Sequence, residues 1–380
     1  MEDAVILYPS PAIGHLISMV ELGKLILTHS PNLSIMILVT PPPYNAGSTA
    51  PYINHVSATT SSITFHHLPA VSLPPNSSPH PETLAFELLR LNNPNVHQAI
   101  TSISKTSTVR ALIMDFFCYP GLSVAADFNL PAYFFFTSAA CSLAAFLYTP
   151  VMHRTITKSF KDLDTNLDIP GVPPMPPADM PKPLLDRNDK AYEGFLNSST
   201  HMPKSAGIIV NTFESLEPRA IKAISAGLCV PDEELTPPLY CVGPLVASNN
   251  QAGSDDGSSN ECLTWLDLQP SRSVVFLCFG SMGLFSAAQL TEIAVGLERS
   301  GQRVVMVDEM NLALPIKDSK DGFVRADEVE KRVRELMESQ EGKSLRMQVS
   351  KMKAAAEAAM SEGGSSRVAL SKLVESWTQG

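Results

Sequence analysis

The sequence predicts an α/β protein built on a doubly wound parallel sheet. Three observations carry that prediction. Short apolar runs alternate with helical patterns from Asp3 to about Val246. A polar stretch at 247–260 (ASNNQAGSDDGSSN), with no apolar residue larger than alanine, interrupts the pattern as a flexible linker. A second α/β pattern begins beyond it. At 380 residues the chain exceeds one ordinary core, so two domains are expected, residues 1–246 and 261–380.

Taken in order, residues 5–8 (VILY) read as a buried parallel strand. Pro9, Pro11 and Gly14 break it, and Leu16, Met19, Val20 and Gly23 then form one helical stripe. Residues 34–40 and 62–68 are the next strands, 81–104 is mostly helical, and 109–115 is a buried strand. The uncharged segment 130–152 has the length of a membrane span. Its Pro131, Thr137, Ser138 and Pro150 instead divide it into a strand at Ala132–Phe136 and a helix at 138–148. Strands at 207–211 and 239–242 complete this half, and the proline-rich connection 168–183 reads as a lid or cleft wall. After the linker, 273–279 is a strand, and a helix opens at Ser286 with Gln289 as a capping box. Its stripe is Leu290, Ile293, Ala294 and Leu297, and it closes at Gly301. Three more core-facing stripes follow, Val329/Val333/Leu336/Met337, Leu345/Val349/Met352/Ala356 and Leu370/Leu373/Val374/Trp377.

Composition bounds the function. With 44% hydrophobic and 17% charged residues the chain reads as soluble and globular. A net charge of −10 with no basic cluster argues against a nucleic-acid surface. The six cysteines are scattered without a C-x-x-C pair, so they read as reduced core thiols. Met1-Glu2-Asp3 leads straight into the first strand without room for a leader, and a cytoplasmic monomer without a membrane span is expected.

His15 sits where the first strand's carboxyl end meets a helix's amino end, the edge at which open α/β sheets bind ligands. The helix dipole there disfavours the imidazolium, so a neutral His15 able to accept a proton is expected. A turn histidine that packs or caps fits the same position. Asp115 ends the strand RALIMD before Phe116-Phe117, at the same sheet edge. Paired with His15, it would fix the imidazole tautomer and stabilise the cation formed on proton transfer. As a strand-end acid it could equally cap a turn. Gly280-Ser281-Met282-Gly283, between strand and helix, is a plausible phosphate cradle, though it is neither G-x-G-x-x-G nor a P-loop, and a tight turn with no ligand fits as well. It is not a G-x-S-x-G elbow, which argues against a serine nucleophile. His66 and His67 point to opposite faces of their strand, and no other metal-ligand spacing occurs.

The segments PSPAIGHLISMVELGKLI, ALIMDFFC, PAYFFFTSAAC, IIVNTFESLEP, YCVGPL, CLTWLDLQPSRSVVFLCFGSMGLFSAAQLTEIAVGLERSGQR and EGGSSRVALSKLVESW together resemble the plant UDP-dependent glycosyltransferases of small phenolics, closest in flavour to flavonoid and chalcone glucosyltransferases. The resemblance covers nearly the whole chain. It implies the GT-B architecture, two Rossmann-like domains facing each other across a cleft, with the acceptor on the first and the UDP-sugar on the second. By resemblance His15 is the general base and Asp115 orients it, while the acceptor oxygen attacks the anomeric carbon, UDP leaves and configuration inverts, with no metal. Thr137 and Ser138 match positions near the transferred sugar, and Gly280 and Ser281 match the turn near the diphosphate.

One departure accompanies the match. The family's donor-binding box, from Trp-Ala-Pro-Gln through His-Cys-Gly-Trp-Asn-Ser to an acid-Gln pair, has no counterpart: the only tryptophans are Trp265 and Trp377, and no histidine follows His201. Ser300-Gly-Gln-Arg303 runs directly into Val304-Val-Met-Val-Asp. This reads as an internal deletion at Arg303/Val304, large enough for about three βα units of ~30 residues each. The second Rossmann-like domain is then truncated and followed by C-terminal helices. Its surviving helices should expose apolar faces, and β-branched Val304, Val305 and Val307 should form a strand, although the matching family segment is helical. Impaired or absent transfer is expected, with a non-catalytic phenolic-binding protein or the product of a truncated gene model as alternatives.

Overall fold

The computed structural model describes residues 1–43, 48–74, 80–232, 234–247, 264–270, 274–277, 285–300, 303–306 and 323–377. The strands β1 (Glu2–Tyr8), β2 (Ser34–Val39), β3 (Ile63–His67), β4 (Ser107–Asp115), β5 (Ala132–Phe136), β6 (Gly207–Val210) and β7 (Leu239–Cys241) form one sheet in the order β3-β2-β1-β4-β5-β6-β7. Every neighbouring pair is parallel. Strands buried on both faces explain the continuous apolar runs. In β1, Val5 and Leu7 pack into one core layer while Ile6 and Tyr8 pack into the other.

Between these strands run α1 (Ile13–His29), α2 (Ala50–Thr59), α3 (Pro81–Leu91), α4 (Asn93–Ile103), α5 (Gly121–Asp127), α6 (Ala140–Thr155), α7 (Lys190–His201) and α8 (Pro218–Ser225). The expected helix at 81–104 is two helices divided at buried Asn92, whose side-chain amide donates to Thr40 Oγ1 at 3.1 Å and Tyr8 Oη at 3.3 Å. Helix α6 starts later than expected and continues through Pro150 to Thr155. A single proline removes one backbone donor, and a helix buried along one side, as α6 is through Leu143, Leu147 and Met152, tolerates the loss. None of the described helices is long and apolar enough to cross a membrane.

The first compact unit comprises Met1–Ala247 together with Ala356–Gly380, and the second is Ser248–Ala355. This corrects the sequence-based boundary, which left the C-terminal tail in the second domain. Helix α12 (Ser365–Glu375) buries Leu370 and Leu373 in the same core layer as Val5 and Leu7. Ser366 Oγ donates to the Gly243 carbonyl at 2.7 Å, the Ser376 and Tyr133 hydroxyls meet at 2.7 Å, and Arg367 donates to Thr28 Oγ1 at 2.8 Å. The apolar stripe was legible, but the surface it covers was not. The expected linker lies outside the described residues apart from Ala247.

In the second unit, β8 (Val274–Leu277) and β9 (Arg303–Met306) form a parallel pair joined through α9 (Ala287–Ser300). Of the residues expected to form a strand here, Val304 and Val305 lie in β9 and Val307 lies outside the described residues. Helix α9 packs on α10 (Ala326–Glu338), with Gly296 so close to the Ala326 carbonyl that a Cβ would stand 2.5 Å from it. Half of the expected capping box forms: Ser286 Oγ accepts from the Gln289 N–H at 3.2 Å, while the Gln289 side chain bonds Val324 instead, at 2.8 and 2.9 Å. The stripe on α9 is only partly covered, and Leu290 is 49% exposed, in line with the expected uncovered faces. On α11 (Gln340–Met360), Val349 is likewise exposed, so its expected core stripe is not fully buried.

Candidate active site

The sheet order places a topological switch point between β1 and β4. The chain leaves β1 toward β2 and β3 on one side, then returns to β4 on the other. Helices leave the two strands in opposite directions there and open a crevice at their carboxyl ends. His15 stands in the first turn of α1, directly after β1, and Asp115 is the last residue of β4.

Their side chains meet. His15 Nδ1 donates to Asp115 Oδ2 at 2.6 Å, and the Phe117 N–H donates to Asp115 Oδ1 at 3.1 Å. Both carboxylate oxygens are thus engaged, and the residue is wholly buried, whereas the His15 side chain is 26% exposed. Bonding through Nδ1 leaves Nε2 as the ring's acceptor in the neutral tautomer. Burial disfavours the imidazolium, but the charge of Asp115 and its hydrogen bond outweigh that, and the His15 pKa lies above its ordinary 6.5. The shift runs opposite to the one the helix dipole alone would give: a charge at contact distance exceeds a partial charge spread over a helix end. Burial, followed by the Asp115 charge, also pushes the neighbouring Cys118 thiol up, so this cysteine stays protonated.

Aromatic rings wall the same edge. Phe117 stands edge-on to His15 with centroids 5.6 Å apart, Phe195 meets Phe117 at 5.5 Å, and Phe146 stacks on Phe195 at 5.5 Å. The pair Phe116-Phe117 was noted in the sequence only as surroundings for Asp115. Phe146 and Phe195 come from α6 and α7, and no local pattern marks them as neighbours.

Thr137 and Ser138 follow β5 at this edge, Thr137 half-buried and Ser138 exposed. Just beyond them α6 begins without a side-chain cap of its own. Glu217, from the segment after β6, supplies one, accepting from the Ala140 and Cys141 N–H groups at 2.8 Å each and from Thr212 Oγ1 at 2.5 Å. A helix N-terminus at this edge would otherwise attract a phosphate. Here a carboxylate of the chain already occupies it. Nothing local to Glu217 signals this role, because the two N–H groups it caps lie 77 and 76 residues away. Gly280 and Ser281 lie outside the described residues, as does the rest of the expected cradle. Among the described residues no group of three or more His, Cys, Asp or Glu side chains could hold a metal ion. His66 and His67 stand on β3, away from the switch point.

Fold and site together are those of a Rossmann-like α/β enzyme domain with a histidine–carboxylate pair at the switch point. No protein-family model matches the chain. It is 42% identical over 461 aligned positions to UDP-glycosyltransferase 88B1 of Stevia rebaudiana, covering 98% of each. It is also 40% identical over 480 positions to the anthocyanidin 5,3-O-glucosyltransferase of a Rosa hybrid cultivar, covering 99% of each. Among solved structures, a UDP-glucosyltransferase from Polygonum tinctorium capable of glucosylating indoxyl superposes with a TM-score of 0.88 at 27% identity, covering 100% of this chain and 99% of that one. The chain belongs to the plant UDP-dependent glycosyltransferases, enzymes of the GT-B fold class whose co-substrate is a UDP-sugar.

Proposed function

We propose that the first unit activates a hydroxyl of a small phenolic such as a flavonoid for inverting glucosylation from UDP-glucose, and that this chain is deficient in the donor half of the reaction. The His15–Asp115 pair at the switch point carries the first statement. His15 Nε2 takes the acceptor's proton, and Asp115, bonded to Nδ1, holds the tautomer and stabilises the imidazolium that results. The acceptor oxygen attacks the anomeric carbon opposite the departing UDP. The bond to the diphosphate oxygen breaks, UDP leaves with its electron pair, and configuration inverts. By resemblance, Thr137 and Ser138 match positions near the transferred sugar, and Gly280 and Ser281 match the turn near the diphosphate.

One observation supports the second statement. The alignments with relatives run over 461 to 484 positions, which a chain of 380 residues cannot fill, and the family's donor box is what the sequence lacks. On this reading the junction lies at Arg303/Val304. The deletion removes the residues that would stack on uracil and bind the ribose and sugar hydroxyls, and the first unit retains phenolic binding. We place the protein in the cytoplasm as a monomer.

Calorimetric titration of the purified chain with phloretin tests the acceptor site. Saturable binding that weakens in His15→Ala is expected, and a folded protein that binds no phenolic would overturn the reading.

A further inference from the structure

The proline-rich segment 168–183 folds against the start of α6, and together they line a partly open pocket of about 200 Å³ within the first unit. Its wall includes Ser142, Ala145 and Phe146 of α6 and the thioethers Met175 and Met180. Asp179, exposed at one side, is the one charged side chain lining it among the described residues. Ser142 lies just past Ser138, so one end of the cavity reaches the carboxyl edge of the sheet. The Phe146 ring stacks on Phe195, which meets Phe117, the ring standing on His15. The cavity therefore belongs to the same aromatic cluster as the candidate base.

Its size is informative. Sites that enclose a whole small molecule run to about 300–1,000 Å³. The present cavity is smaller and suits one aromatic ring rather than a complete two- or three-ring compound. Methionine sulfurs beside a phenylalanine make favourable, adaptable contacts with such a ring. The carboxylate at the side can accept a hydrogen bond from a hydroxyl on it, and bonds to charged groups discriminate more strongly than neutral ones.

We infer that this cavity is the subsite for the acceptor ring remote from the reacting hydroxyl, and that Asp179 selects a ring bearing a hydroxyl of its own while Ala145 sets the depth available. The inference rests on the acceptor reading proposed above and deepens it.

Three ligands test it by titration calorimetry on the full chain: phloretin, its analogue without the hydroxyl on the phenyl ring, and 2,4,6-trihydroxyacetophenone, which lacks that ring. Wild type should prefer phloretin over the analogue by roughly tenfold or more. Asp179→Asn should erase most of that preference without weakening the analogue. Ala145→Phe should weaken both two-ring ligands by about tenfold or more while leaving the single-ring compound unchanged, which also shows that the variant is folded. Equal affinity of wild type for phloretin and its analogue would overturn the role of Asp179. Two-ring binding undiminished in Ala145→Phe would overturn the subsite. Failure of wild type to bind any of the three would instead bring down the acceptor reading itself.

Discussion

Glu217 accepts a hydrogen bond from the Ala140 backbone N–H at 2.8 Å and so caps the start of α6 with a carboxylate contributed from beyond β6. The interaction fastens the turn carrying Thr137 and Ser138 to the neighbouring strand through Thr212. It also gives this helix N-terminus a carboxylate from within the chain.

Removing that carboxylate should be felt in stability. Glu217→Ala leaves two N–H groups of α6 without their acceptor, and a loss of about 1–3 kcal/mol is expected from denaturant unfolding. Glu217→Gln, which retains one acceptor oxygen, should lose less. Equal stability of both variants with wild type would show that water replaces the cap without cost.

The charge state of His15 gives a pH prediction. Its pKa is raised in the folded protein, so the pair contributes stability that is fully present below the unfolded value near 6.5 and is lost as pH rises through the raised folded value. Phenol binding through a proton-accepting Nε2 has the opposite dependence, strengthening as pH climbs through that same raised value. Asp115→Asn removes the charge that raises it and leaves burial, the largest influence, which lowers it. The midpoint of the His15 titration followed by NMR should then drop below 6.5, and the rise in phloretin affinity should move to lower pH with it. An unmoved midpoint would separate the two residues functionally.

Helix α12 belongs with the first unit, and that placement has a measurable consequence. Leu370 is fully buried in the core layer that also holds Val5 and Leu7, so Leu370→Ala should cost about 2–5 kcal/mol. Trp377, buried edge-on to Tyr133 at 6.3 Å, reports the loss through its fluorescence. A change confined to the second unit, with the first unit unfolding as in wild type, would contradict the assignment.

Much of this architecture is legible in the chain because it rests on local signals. Runs such as residues 5–8 and Ala132–Phe136 are buried on both faces and can read only as inner strands or helices, and the interruptions by Pro9, Pro11 and Gly14 decide between them. His15 and Asp115 were legible as members of one edge, since each ends or follows a strand of the same sheet. What stayed hidden depends on distance through space. The 2.6 Å contact that raises the His15 pKa cannot be seen from α1 alone, so the helix dipole gave the wrong sign. Glu217 and the ring series Phe117, Phe195 and Phe146 come from separate elements and carry no periodicity that links them. Helix α12 announces an apolar face but not the sheet it covers. The missing donor box was visible only through the family resemblance, because no physical rule demands it of a second α/β unit.

A single assay bears most directly on the two halves of the proposal, a working acceptor site and a lost donor site. Purified chain is incubated with phloretin and radiolabelled UDP-glucose, beside His15→Ala as background, after calorimetry has established phloretin binding to the wild type. The account predicts saturable phloretin binding with no labelled glucoside above the His15→Ala background. Glucoside formed by the wild type and abolished by His15→Ala would contradict it, establishing that this chain binds and transfers its donor without the box.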